Sequence, residues 1–152
     1  MTGGYRADRL QEDALPEQPR LEHAWTEGSW LMAARKIDPE QGRAAVLAWC
    51  ADPGVGRSVR ATAVRFTLQE LELQAPGRSV EVRVPPYGAV QVIEGPTHRR
   101  GTPPNVVELA PDSWLQLVVG DLTWAEAEET GQVSASGSRA DLSAYLPLLR
   151  RP

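Results

Sequence analysis

With 152 residues, 41% of them apolar and 24% charged, the chain has the length and usage of one globular domain, able to bury roughly 70% of the surface its unfolded form exposes. A net charge of -4 argues against nucleic acid as a partner, and a single cysteine excludes an internal disulfide and any multi-cysteine zinc or iron-sulfur site. The first residues lack the apolar core of a signal peptide, and no apolar run approaches the roughly 20 residues that cross a bilayer. Cytoplasmic residence, no stable membrane insertion and no cofactor are therefore the expectations.

Residues 1–35 mix charges, prolines and glycines with Trp25 and Trp30 and show no sustained period. They read as a partly ordered N-terminal extension, leaving 36–152 as the folded domain. In "IDPEQGRAAVLAWCADPGVG", Asp38 suits an N-cap, Pro39 the first helical position and Glu40 the first turn. The helix ends at "ADPG". A second helix is predicted from Arg57 to Leu73, with Val59, Ala63 and Phe66 on its apolar side. The period then changes. In "SVEVRV", Val80, Val82 and Val84 alternate with Ser79, Glu81 and Arg83, the signature of a half-buried strand. "PPYG" turns the chain, and "AVQVIE" returns as the other arm of an antiparallel hairpin.

"GPTHRRGTPP" reads as a loop and "NVVEL" as a third strand. "PDSWLQLVVG" follows as a short helix from Pro111 to Gly120, with Trp114, Leu115, Leu117 and Val118 on its buried side. Thr123 and Glu126 have the spacing of a capping box, so another short helix precedes Gly131. "QVSAS" alternates as a fourth strand, and Asp141 caps a terminal helical segment carrying Leu142, Tyr145, Leu146 and Leu148.

This order of elements is an α+β layer pattern and resembles the sterol carrier protein 2 fold, above all in "WLQLVVGDLTWAEAEETGQVSASG". Together, "IDPEQGRAAVLAW", "APGRSVEVRVPPYGAVQ", "RGTPPNVVE" and "ADLSAYLPL" are similar to the small sterol carrier family proteins of actinobacteria, over roughly residues 36–149. Arginine-rich usage, with Lys36 the only lysine, fits a GC-rich genome of that kind. The resemblance implies a mainly antiparallel sheet of about five strands, covered on one face by helices. It also implies a cavity or groove between sheet and helices that can hold a fatty acyl or sterol-like molecule, with Trp114, Leu117 and Val118 as its candidate lining; the same stripe is needed merely to cover a one-sided sheet, and core packing is the reading preferred from sequence. One departure is Ala110, where an aspartate cap is expected; its absence weakens that helix start by about 1 kcal/mol.

The residues themselves offer little catalytic chemistry. Cys50 sits at the carbonyl end of a helix, which disfavours a thiolate, and His23 and His98 lack metal-pair spacing. A triad of Ser113, His98 and Asp112 has no nucleophile motif around it, and Glu126, Glu128 and Glu129 read as a solvated helix face. The best local candidate is the loop of Arg99, Arg100, Gly101 and Thr102. Two guanidinium forks beside flexible backbone suit a carboxylate or phosphate head group, whereas Pro103 and Pro104 equally suit a stiffened structural turn, the reading preferred from sequence. The expected function is non-enzymatic binding or carriage of an apolar or amphipathic molecule. The alternative is an interaction module with a filled core, related to the C-terminal domain of mycothiol-dependent isomerases. The 35 residues before the domain are too few for the metal-binding helical domain of those enzymes.

Overall fold

The computed structural model describes residues 36–96 and 105–150. The chain opens with helix α1 (Pro39–Ala51), where the Asp38 side chain accepts a hydrogen bond from the Gln41 N–H and Pro39 occupies the first turn, because neither residue's role needs an intrahelical donor. Helix α2 (Arg57–Gln74) follows after Asp52–Gly56 and runs one residue beyond the expected end. Strands β1 (Val80–Val84) and β2 (Gly88–Val92) form the hairpin, closed by the Tyr87 N–H donating to the Val84 carbonyl at 2.9 Å. The return strand stops two residues short of the predicted end. Ile93 turns the chain out of the sheet with φ 65°, a conformation that costs a β-branched residue about 1–3 kcal/mol.

Strand β3 (Asn105–Leu109), helix α3 (Pro111–Val119), helix α4 (Trp124–Glu129) and strand β4 (Val133–Ser136) complete the domain. The sheet order is β2-β1-β3-β4. β1 pairs antiparallel with β2, β3 antiparallel with β4, and β1 parallel with β3. The expected α+β architecture is thus present, with four strands among the described residues rather than about five, and with one parallel pair. That pair arises because β3 follows β2 in the chain but lies on the opposite side of β1.

Period 2 decides which face is which. Val80, Val82 and Val84 of β1 and Val107 and Leu109 of β3 are buried, while Glu81, Arg83, Gln91, Glu108 and Ser134 line the other face. α2 lies against β2 and α3, and α1 packs on α2. At the far end the predicted terminal helix is replaced by a turn. Asp141 Oδ1 accepts from the Ser143 N–H at 2.8 Å and the Tyr145 N–H donates to Leu142. Pro147 then prevents continuation, since it brings no N–H and crowds the residue before it. The leucines are buried all the same: Leu142, Leu148 and Leu149 join the core, and the Leu149 N–H donates to the Val118 carbonyl. No described helix is long and apolar enough to cross a membrane.

The α1–α2 contact depends on the missing side chain of Gly42. A Cβ there would overlap the Phe66 ring and lie 2.8 Å from its Cβ, atoms too close to the backbone to swing aside. Alanine would ordinarily gain about 1 kcal/mol of helix propensity over glycine. Gly42→Ala is nevertheless expected to lower stability by about 1–3 kcal/mol, measured by urea unfolding, with Phe66→Leu in the same chain recovering part of the loss.

Candidate functional site

The apolar interior is organised around Trp114. The side chain is fully buried, as are Leu117 and Val118, and α3 carries them because Trp114, Leu117 and Val118 recur three and four apart on one helix face. Its indole N–H donates to Thr67 Oγ1 at 2.8 Å. Thr67 Oγ1 lies 2.8 Å from the Ala63 carbonyl and 3.0 Å from that of Val64. The single hydroxyl proton serves one of these carbonyls while the oxygen accepts from Trp114, so no polar atom of the pair is orphaned. Thr67 in this role was not anticipated from the sequence.

Arg99, Arg100, Gly101 and Thr102 lie outside the described residues, as does His98. The roots of their connection are described. Asn105, 4% exposed, donates from Nδ2 to the Ser79 carbonyl at 2.8 Å and accepts from the Arg139 N–H at 2.9 Å. The Ser79 hydroxyl and N–H both donate to the Ile93 carbonyl. This network of buried polar groups ties both ends of the loop to β1 and to the segment after β4.

Ser113 and Asp112 are not assembled for nucleophilic chemistry. The Ser113 hydroxyl donates to Gln132 Oε1 at 3.0 Å. Asp112 Oδ1 instead accepts from the Trp49 indole N–H at 3.0 Å and faces Arg60 Nε at 3.3 Å. Those bonds fasten α1 and α2 to the first turn of α3. Glu126 completes the expected capping box on Thr123. The Thr123 N–H and hydroxyl hold its carboxyl below the usual range. Glu128 and Glu129 are exposed, and Cys50, half-buried, packs against the core. No group of three potential metal ligands occurs among the described residues.

The group that sequence reasoning missed is Glu70. It is 2% exposed, and its Oε2 has no hydrogen-bond partner; Arg43 Nη1, on the facing helix, is also buried without one. Burial pushes Glu70 up to about 7, while the charges of Arg43 and Lys36 pull it back down. The signal was present in the spacing. Glu70 stands four residues after Phe66 and seven after Ala63, on the stripe of α2 that packs inward, whereas Glu72 falls off it and is exposed. The interior therefore combines an apolar body with one buried carboxyl on α2, and the charge of Arg43 on α1 acts on it.

The model of a protein family described as the bacterial SCP ortholog matches residues 56–148, covering α2 through the C-terminal turn. No curated protein matches the chain at a significant level.

Proposed function

Because the chain belongs to the bacterial SCP ortholog family, we propose that it is a non-enzymatic, cytoplasmic binder or carrier of an apolar or amphipathic small molecule. The observation that carries this reading is the family match over the sheet and its covering helices. It is supported by an interior built from apolar side chains on both layers, Val82 and Val107 below and Trp114, Leu117 and Val118 above. A long hydrocarbon held there gains about 0.8 kcal/mol for each methylene removed from water. Trp114, Leu117 and Val118 are the side chains assigned to its lining.

The test is uptake. Gently purified protein is expected to carry a lipid-like adduct in native mass spectrometry, identified after denaturing extraction. After delipidation it is expected to take up fatty acids, acyl-CoA or sterol analogues saturably. Absence of saturable uptake of all three classes removes the carrier reading. The complete burial of Trp114 and Val118 favours a second reading, an interaction module whose core is filled by its own side chains. A stable protein partner captured by the same preparation, with no ligand uptake, would select it.

A further inference from the structure

Helix α1 is apolar on every side over its last two turns. Ala44 to Ala51 reads "AAVLAWCA", without a single charged, amide or hydroxyl side chain. One side packs inward, with Ala45, Val46 and Trp49 buried. The opposite side is open: Ala44, Leu47, Ala48 and Ala51, spaced three and four apart on one face, are exposed or half-buried. A helix that is apolar all round is ordinarily buried all round. By contrast, α2 turns Arg65 and Glu72 outward and α4 turns Glu128 and Glu129 outward, all four exposed. Among the described residues, the outer face of α1 lacks a cover.

The position of that face decides what covers it. The Ile37 N–H donates to Gln69 Oε1 at 3.0 Å, and Gln69 Nε2 donates back to the Ile37 carbonyl at 3.1 Å. This clamp pins the chain to α2 just ahead of α1, so whatever precedes Lys36 starts from the N-terminal end of the open face. Residues 24–34 read "AWTEGSWLMAA", with Glu27 the one charge and Trp25, Trp30, Leu31 and Met32 the large apolar side chains. Residues 1–23 are instead rich in arginine, aspartate and glutamate. Ala51 lies about 20 Å along the helix from Pro39, and eleven residues of extended chain span up to about 36 Å, so the segment reaches the face. A tethered segment is also held at roughly millimolar effective concentration, whereas a second copy must give up translational and rotational freedom to dock. We propose that residues 24–34 form an intramolecular cover for α1, with Trp25 and Trp30 packed on Ala44, Leu47, Ala48 and Ala51. Helix and segment both precede residues 56–148, which the family model matches, so the contact stands independently of the carrier reading.

The experiment measures thiol reactivity in the full chain. In a Cys50→Ala background, one reporter is introduced at a time: Ala44→Cys or Ala51→Cys on the open face, or Glu72→Cys as an exposed control on α2. The thiols of Ala44→Cys and Ala51→Cys are expected to react with a maleimide about tenfold more slowly than that of Glu72→Cys. Adding Trp25→Ser and Trp30→Ser is expected to bring all three rates together. Rates on the face that already equal the control while both tryptophans are present overturn the cover. Protection that survives Trp25→Ser and Trp30→Ser overturns it too, and if that protection fades on dilution the face belongs to a second copy. Circular dichroism and thermal unfolding of each variant establish that the helices are folded when the rates are read.

Discussion

Replacing Glu70 with glutamine is expected to stabilise the protein at pH 8 by up to roughly 3 kcal/mol and to remove a segment of its pH dependence. In the folded chain burial holds this carboxyl near 7, against an ordinary value of 4.5. Between those two values the folded state binds more protons than the unfolded state, so stability falls as pH rises. The contribution is complete below about 4.5, is lost progressively toward 7, and stays lost above it. At about 1.36 kcal/mol per pH unit, an interval of about 2.5 units gives the figure of roughly 3 kcal/mol. Glutamine has nearly the shape of the protonated acid and no charge to bury. Chemical unfolding of both proteins at pH 5 and pH 8 measures the effect. The variant should gain at pH 8 and differ little at pH 5. Arg43→Met should act in the opposite direction, deepening the alkaline loss, because the cation that lowers Glu70 is gone. A wild-type stability that is flat from pH 5 to pH 7 would refute the assignment.

Trp114→Ala is expected to cost about 3–5 kcal/mol if the indole is an integral part of a close-packed core. The side chain is 0% exposed and its N–H is satisfied by Thr67. Its loss therefore removes packing contacts and leaves the Thr67 oxygen without a donor. The measurement also separates the two functional readings. If the indole lines a ligand space, the apoprotein loses far less than this range, and bound ligand stabilises the wild type more than the variant. If the core is filled, the full loss appears with no ligand present, and adding amphiphile changes neither protein. Trp114→Phe keeps most of the volume and removes the indole N–H, so the difference between the two variants reports mainly packing, while wild type against Trp114→Phe reports mainly the hydrogen bond to Thr67.

Much of the chain's local structure was legible because it rests on short-range chemistry. Asp38 and Pro39 at a helix start, Thr123 and Glu126 in a capping box, and Gly120 in the left-handed conformation at a helix end all act within one turn of backbone. The alternation of Val80, Val82 and Val84 announced a strand with one buried face in the same way. Errors fell where local signals compete with a neighbour. Asp141 was read as a cap, but it closes an Asx turn on Ser143, since Pro147 leaves too few residues to repay helix nucleation. Ile93 looked like a continuing strand residue until its backbone was bent away beneath Ala75 and Ser79.

From sequence alone followed the α+β class, the element boundaries to within a few residues, and the identity of the apolar faces. These depend on capping, glycine and proline geometry, and the periods of helix and strand. Only the tertiary structure decided that β3 runs parallel beside β1, that Asp112 joins Trp49 and Arg60 rather than Ser113, and that Glu70 is buried away from water. Pairing partners and desolvation are set by residues distant in the chain. A carboxylate's spacing on a helix tells which way it points, while its charge and ligand chemistry depend on what packs over it.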